Sequence, residues 1–253
     1  MRLLVCVKRV PAPGARINLT PDEKAIDARH LSFTVSPHEE CAVEEAIRIK
    51  EKQGGTVAVM TLGPEDAEEQ LRYAVSVGAD EAVLLATDGS DWDPQATASA
   101  LAARIAEIEQ DGAFDLILFG NESADSGGYQ VGIRVAHALG RPIISGIKGL
   151  EIGEGILTAR RETESGFEVY VLPLPAIVAV KEGINLPRYP TLPGRLRAKK
   201  AAVLSSAASA APGGLVMDRL FTPAEQKTAT RVLGQGPEAA PAVVDLLEEL
   251  GLL

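Results

Sequence analysis

Four apolar runs without polar alternation punctuate the first half of the chain: LLVCVK (3 to 8), TVAVMTL (56 to 62), EAVLLAT (81 to 87) and FDLILFG (114 to 120). Runs of this length and β-branched content read as strands buried on both faces. The first is followed by PAPG, which can neither continue a strand nor start a helix. Ser36, Pro37 and Glu39 supply a capping hydroxyl, a proline for the first helical position and a glutamate three residues after the serine, so a helix is predicted from Pro37. It carries Val43 and Ile47 on one face, pairs Glu44 with Arg48 on another, and ends at Gly54 and Gly55. Pro64 opens a second helix with Leu71, Ala74 and Val75 on its apolar face and a stop at Gly78. Asp93 and Pro94 cap a third, which stops at Asp111 and Gly112, and YQVGIRVAHAL (129 to 139) is a fourth. Buried strands alternating with helices predict an α/β fold: a doubly wound, mainly parallel sheet with right-handed crossovers.

After Pro142 the pattern turns to alternation. GIKGLEI, GILTARRE and FEVYVL are joined at Gly153-Glu154-Gly155 and Ser165-Gly166, which predicts an antiparallel meander attached to the sheet. Beyond Lys200, VLSSAASAAPGGLV reads as a linker, and DLLEELGLL as a short amphipathic helix. The predicted division is an α/β domain over residues 1 to 205 and a C-terminal arm over 206 to 253. That arm either folds back on its own domain or docks on a partner subunit.

Composition narrows the function. The 253 residues are 46% hydrophobic, enough for a full core, and the net charge of -10 argues against a generic nucleic-acid binder. Aromatic residues make up only 4%, which leaves few stacking platforms for single-stranded nucleic acid. The two cysteines, Cys6 and Cys41, fall in predicted core segments and suit a reducing compartment. No run approaches the ~18 apolar residues of a membrane span, and Lys8 interrupts the first run too early for a secretory signal, so a cytoplasmic location is expected. His30, His38 and His137 are scattered, and neither a serine elbow nor a metal-ligand spacing appears. A cofactor or partner must then carry the chemistry, and the chain is not expected to be an enzyme by itself.

In an open α/β sheet, ligands bind beyond the carboxyl ends of the strands. GNESADSGGYQVG (120 to 132) sits there, with small residues, two adjacent glycines and free amides ahead of a helix. It is neither a Walker A loop nor GxGxxG, so phosphate binding and an ordinary βα turn both remain open. His38, at a helix start, fits a solvent-facing cap residue better than a ligand contact. Residues 181 to 200, KEGINLPRYPTLPGRLRAKK, set six basic residues against one acidic in a protein of net charge -10. Pro187, Pro190 and Pro193 at three-residue spacing favour an extended or polyproline-like, stiff path, which is either a docking loop that offers Tyr189 and Leu192 as apolar contacts or a solvated basic loop that merely crosses the sheet edge.

VKRVP, SPHEECAVEEAIRIKE, LGPEDAEEQLRYAVSVGAD, DLILFGNESADSGGYQVG, RRETESGFEVYVLPLPAIV and NLPRYPTLPGRLRAKK together resemble the β subunit of electron-transfer flavoproteins over roughly residues 1 to 200. The resemblance implies a heterodimer whose larger α subunit holds the redox-active FAD, while this subunit buries a structural AMP and the arm contacts the α subunit. Carried over by position, the AMP site comprises Cys6, Ser36, Pro37, His38, Glu39, Leu62, Gly120, Asn121, Glu122, Ser123, Ala124, Asp125, Ser126, Gly127, Gly128, Tyr129, Gln130 and Val131. Within it the backbone near Ser126, Gly127, Gly128 and Gln130 would cradle the phosphate, and Asp125 would cap the helix or meet ribose or water. The segment 184 to 200 resembles the family's recognition loop, with Leu192 as the anchor on flavin-dependent dehydrogenases of the acyl-CoA type. Arg188, Tyr189, Pro193, Arg195, Arg197, Lys199 and Lys200 would surround that anchor.

Two departures from the family pattern bear on the ligand. Many members carry an aspartate-rich run and a Gln-Thr pair in the phosphate loop, where this chain has Asp125-Ser126-Gly127-Gly128 and Gln130-Val131. Bifurcating members hold a second FAD in this cavity, and QVG here resembles theirs. Pro13 stands where some members offer a tyrosine to the flavin. A stand-alone nucleotide-binding protein of the universal-stress type would leave the basic loop and the arm unexplained.

Overall fold

The computed structural model describes residues 1 to 209, 214 to 223 and 230 to 253. The chain forms two compact units, Met1–Asp218 and Arg219–Leu253.

In chain order the first unit contains β1 (Arg2–Cys6), β2 (Val10–Pro11), β3 (Phe33–Thr34), α1 (Pro37–Gln53), β4 (Thr56–Gly63), α2 (Glu68–Val77) and β5 (Glu81–Ala86). There follow α3 (Pro94–Ile108), β6 (Leu116–Gly120), α4 (Val131–Leu139), β7 (Ile143–Gly153), β8 (Ile156–Thr163), β9 (Gly166–Pro173) and β10 (Ala176–Val180). The unit closes with α5 (Leu192–Lys200) and β11 (Val203–Ala207). Among the described residues, nine strands form one sheet in the order β11-β5-β4-β1-β6-β10-β7-β8-β9. Pairing is parallel from β11 through β7 and antiparallel across β7, β8 and β9. This is the expected doubly wound sheet with its meander, and β2 and β3 add a small separate ribbon.

Alternate residues of each strand point to opposite faces, so one run of apolar residues feeds two cores. Leu3, Val5, Val57, Val59, Leu116 and Leu118 pack under α1 and α2. Leu4, Cys6, Ala58, Met60, Ile117 and Phe119 pack under α3 and α4. Both cysteines are buried and free, as expected of core thiols. The helix starts agree with their caps: Pro37 opens α1, Pro94 opens α3, and the Asp93 side chain accepts from the Ala96 amide.

Three expectations are corrected. VLSSA is not linker but β11, paired in parallel with β5. Its serines satisfy the exposed face of an edge strand, and their small, polar character mimicked a linker. The predicted boundary after residue 205 therefore falls inside a strand, and the first compact unit runs on to Asp218. Residues 210 to 213 of the expected linker lie outside the described residues. The third correction concerns the basic segment: its second half is not extended but helical, as α5, because Thr191 caps the Gly194 amide and Pro193 occupies the first turn, where proline is tolerated. Finally, β10 occupies the middle of the sheet between β6 and β7, a place that its position after the meander does not suggest.

The second unit contains α6 (Ala240–Glu249), in which no residue is buried; Val243 and Val244 are exposed, as are Leu250, Leu252 and Leu253 beyond its end. A helix is present near the C terminus, but over Ala240–Glu249 and not over 245 to 253 as expected, and residues 224 to 229 of the arm lie outside the described residues. Among the described residues, no helix is long and apolar enough to cross a membrane.

Candidate functional site

The sheet order reverses at β1, with β4 on one side and β6 on the other, which places a crevice beyond the carboxyl ends of these strands. The floor of the crevice is the start of α1. Glu39 is buried there, and its Oε2 accepts from the amides of Lys8 (3.0 Å) and Ser36 (3.3 Å). The second contact is the glutamate arm of the capping box foreseen in the sequence; the first ties the end of β1 to the helix. Burial pushes the Glu39 carboxyl up to about 8, against the opposing pull of those two amides and of the Lys8 ammonium. Gly120, at the end of β6, lies so close that a Cβ there would stand 2.5 Å from Glu39 Cγ and 3.1 Å from the Glu39 amide nitrogen. Only glycine lets the two elements meet at this distance.

The loop from Asn121 to Gln130 is fastened from several directions. The Asn121 amide donates to the Val180 carbonyl (2.8 Å), and the Ser36 hydroxyl donates to the Glu122 carbonyl (3.3 Å). His38 Nε2 lies 3.1 Å from Glu122 Oε1, while His38 Nδ1 accepts from the Glu182 amide (2.9 Å). His38 is therefore a bridge between the loop and the end of β10, not a solvent-facing cap: its side chain is only 13% exposed. The turn that follows β10, distant in sequence, supplies the amide, which is why local pattern misplaced it.

On the other side of the loop, Lys8 Nζ lies 2.6 Å from Asp125 Oδ2 and donates to the Ser126 hydroxyl (3.5 Å). Although burial raises the Asp125 carboxyl, its hydrogen bond and charge pairing with Lys8 hold it below the ordinary range. Asp125 does not cap α4. Its Oδ1 accepts from the Ser126 amide (2.7 Å), and the capping position is taken by Gln130, whose side chain turns to Arg134 (3.0 Å). Gly127 and Tyr129 both adopt left-handed backbone, φ 54° and 55°. Tyr129 is a non-glycine residue there, and left-handed residues next to right-handed ones turn successive amides to a common side, a concavity suited to anions.

The structure brings Ser36, Pro37, His38 and Glu39 together with the 120 to 131 loop and the end of β1. Leu62, at the end of β4, is half-buried at the same edge of the sheet. Cys6, the last residue of β1, is in register with Met60 and buried among core side chains, and burial pushes its thiol up, away from reactivity. Lys8 was missed by sequence reasoning. Its signal is the first charged residue after a buried strand, which must emerge at the carboxyl end of the sheet.

The basic segment is the second candidate site, remote in sequence from the first. Leu186, Tyr189, Leu192 and Leu196 are exposed, with Tyr189 at 92%. Beneath them lies a groove of about 590 Å³ bounded by Ile47, Lys50, Gly78, Arg188, Tyr189 and Pro193 among others. Helix α5 is fixed to α2 at both ends. Arg197 donates to the Val75 carbonyl (2.8 Å), Arg72 donates to the carbonyls of Ala198 (2.9 Å) and Ala201 (3.1 Å), and a Cβ on Gly194 would strike the Ser76 carbonyl. Arg188 is likewise turned inward, onto Glu44 and Glu51. Arg195, Lys199 and Lys200 are exposed and form no ion pair among the described residues. Among the described residues, no group of three or more His, Cys, Asp or Glu is arranged to hold a metal ion.

Comparison with known proteins identifies the family. A family model described as the electron transfer flavoprotein domain matches residues 25–211. The electron transfer flavoprotein subunit beta of Bacillus subtilis is 38% identical over 201 residues, 79% of this chain and 76% of that protein. The protein of the same name from Syntrophomonas wolfei is 36% identical over 212 residues, 83% of this chain and 81% of its own length. A caffeyl-CoA reductase-Etf complex subunit of Acetobacterium woodii is 34% identical over 199 residues, 77% of this chain and 73% of that protein. With the doubly wound sheet, the fastened loop at its switch point and the exposed basic helix, these relationships show that the chain belongs to the electron-transfer flavoprotein family as a β subunit, a carrier subunit and not a catalytic enzyme.

Proposed function

We propose that this subunit pairs with a larger α subunit that holds most of the FAD, that it binds one AMP in the crevice beyond β1 and β6, and that it presents α5 and the preceding turn to electron-donating dehydrogenases. The observation that carries the reading is the Asn121 to Gln130 loop, fixed by contacts from β1, α1 and β10 and turned left-handed at Gly127 and Tyr129. The Ser126 and Gly127 amides donate within the loop, to Asp125 Oδ1 and the Ser123 carbonyl, so the amides of Gly128, Tyr129 and Gln130 ahead of α4 are the ones that favour a phosphate, through both hydrogen bonding and the helix dipole. In this role Lys8 supplies positive charge at the phosphate end, and Ser36, His38 and Glu39 hold the loop in place. Bound AMP contributes packing and charge at the subunit core, and the FAD of the heterodimer supplies the redox chemistry.

Electrons reach that flavin from dehydrogenases of the acyl-CoA class and pass toward the respiratory chain, in the cytoplasm. The exposed Leu192, flanked by cations Arg195, Lys199 and Lys200 on a protein of net charge -10, supports docking on an acidic partner with one apolar pocket. Leu192→Ala is expected to slow flavin reduction by such a dehydrogenase about tenfold with flavin content unchanged; unaltered rates would remove Leu192 from the docking surface. The exposed α6 and the residues that follow it fit an arm that covers part of the α subunit.

A second reading has one observation in its favour. The Acetobacterium relative carries the name of a caffeyl-CoA reductase-Etf complex subunit, and the resemblance of QVG to bifurcating members would put a second FAD in the same crevice. Denaturing the purified heterodimer and identifying the released nucleotides separates the two. One FAD and one AMP per heterodimer is the expected result, and two FAD without AMP would replace the first reading by the second.

A further inference from the structure

Arg188 belongs to the basic segment that resembles a docking surface, yet its side chain, 35% exposed, is engaged by two carboxylates of α1. Its Nε donates to Glu44 Oε2 (2.8 Å), its Nη2 to Glu44 Oε1 (3.2 Å), and its backbone amide to Glu44 Oε2 (3.2 Å). The far side of the guanidinium meets Glu51 through Nη1 (2.6 Å) and Nη2 (2.9 Å). Arg48 completes the arrangement, with Nε on Glu44 Oε1 (2.6 Å) and Nη2 on the Leu186 carbonyl (3.4 Å). Glu44, Arg48 and Glu51 lie one and two turns apart on a single face of α1.

Glu44 is the centre of this clamp. Its carboxylate is only 4% exposed, so it cannot rely on water and needs both arginines. Three residues before Arg188, Asn185 is also tied to α1, through Nδ2 to the Cys41 carbonyl (2.9 Å) and to Glu45 Oε2 (2.9 Å). Between and beyond these fastenings stand two apolar side chains with almost no cover, Leu186 at 83% and Tyr189 at 92% exposed. A turn that presents bare apolar groups would otherwise collapse onto the groove beside it, and here its backbone is held so that it does not.

We propose that Glu44 is a positioning residue for partner docking: by clamping Arg188 it holds Leu186 and Tyr189 outward beside Leu192, so that a dehydrogenase meets a preformed apolar platform. The inference rests on the docking function proposed above and moves Arg188 from the contact surface to its support. Ordering the turn before the encounter lowers the entropy lost on docking, so the clamp acts on affinity and not on the electron-transfer step.

The test uses the purified heterodimer, with an acyl-CoA dehydrogenase and its acyl-CoA substrate as the electron donor. Glu44→Gln and Arg188→Met are each expected to raise the KM for the heterodimer about five- to tenfold, with kcat within about twofold of the parent. The double variant should be no worse than either single variant, because both remove one interaction. Hydrogen exchange of residues 184 to 191 should accelerate about tenfold or more, while β1 and β6 keep their protection. Glu51→Gln, at the solvent side of the clamp, should move the same readouts less and provides a measure if Glu44→Gln does not fold. A double variant whose KM effect is the product of the single effects, with Arg188→Met the more damaging, would mean that Arg188 meets the partner itself and overturns the proposal. Unchanged exchange in the turn would overturn it as well. Leu192→Ala, assayed in parallel, separates the two levels: if it leaves KM unaltered the docking function fails, whereas the exchange data still decide whether the clamp exists.

Discussion

Gly120→Ala should destabilise the protein by about 2 to 3 kcal/mol in urea unfolding and deplete the heterodimer of its bound nucleotide. The added methyl would stand 2.5 Å from Glu39 Cγ, 3.1 Å from the Glu39 amide and 3.2 Å from His38 Cβ. All three obstacles belong to the first turn of α1, and two of them, the Glu39 amide and His38 Cβ, cannot rotate away, so relief requires the end of β6 or the start of α1 to shift. Either movement breaks the fastening of the loop by Ser36 and His38. An unfolding midpoint equal to that of the parent, with full nucleotide content, would show that β6 and α1 accommodate the methyl and that their close approach does not govern the crevice.

The second large effect is on pH dependence. The Glu39 carboxyl rises to about 8 in the native protein because burial disfavours its charge, whereas in the unfolded chain it titrates at its ordinary value of 4.5. The native state therefore holds a proton that the unfolded state has released throughout this window, so stability falls as pH rises from about 5 to about 8. With about 1.4 kcal/mol for each pH step of one, the Glu39 contribution to this loss is on the order of 4 kcal/mol, and it levels off above pH 8. Glu39→Gln keeps a carbonyl acceptor for the Lys8 and Ser36 amides without a titrating proton, and its stability curve should be flatter by that amount. Parallel curves for the two proteins between pH 5 and 8 would mean that Glu39 ionises in the native state near its ordinary value.

Much of the fold was legible because its causes are local. Unalternating apolar runs marked the buried strands, and Ser36-Pro37 and Asp93-Pro94 marked helix starts whose caps the structure reproduces. What escaped depends on partners far along the chain. β11 looks like linker until β5 is beside it, and β10 acquires its central place only through pairing with β6 and β7. α5 was hidden by a proline spacing that favours extension, although Pro193 falls in a first helical turn, where it does no harm.

The candidate sites divide along the same line. The sequence placed the crevice loops at the correct ends of the strands, since topology alone dictates that position. It could not show that His38 joins the loop to the end of β10, that Lys8 pairs with Asp125, or that Arg188 turns to Glu44, because these partners are separated by more than eighty residues. A cluster of basic residues looks uniform in one dimension. Folding sorts it into Arg188 and Arg197, which brace the segment, and Arg195, Lys199 and Lys200, which remain outside.

The path of that segment has a mechanical consequence. It leaves the sheet at β10, in the interior, and rejoins it at β11, the outer edge, so it passes across β6, β1, β4 and β5 like a strap over a bale. Tension applied at Leu192 is borne at one end by a strand paired on both sides and at the other by an edge strand paired on one. The edge is the weaker anchorage, and Arg72, which holds the carbonyls between α5 and β11, is the stitch that keeps a pull on the helix from reaching it.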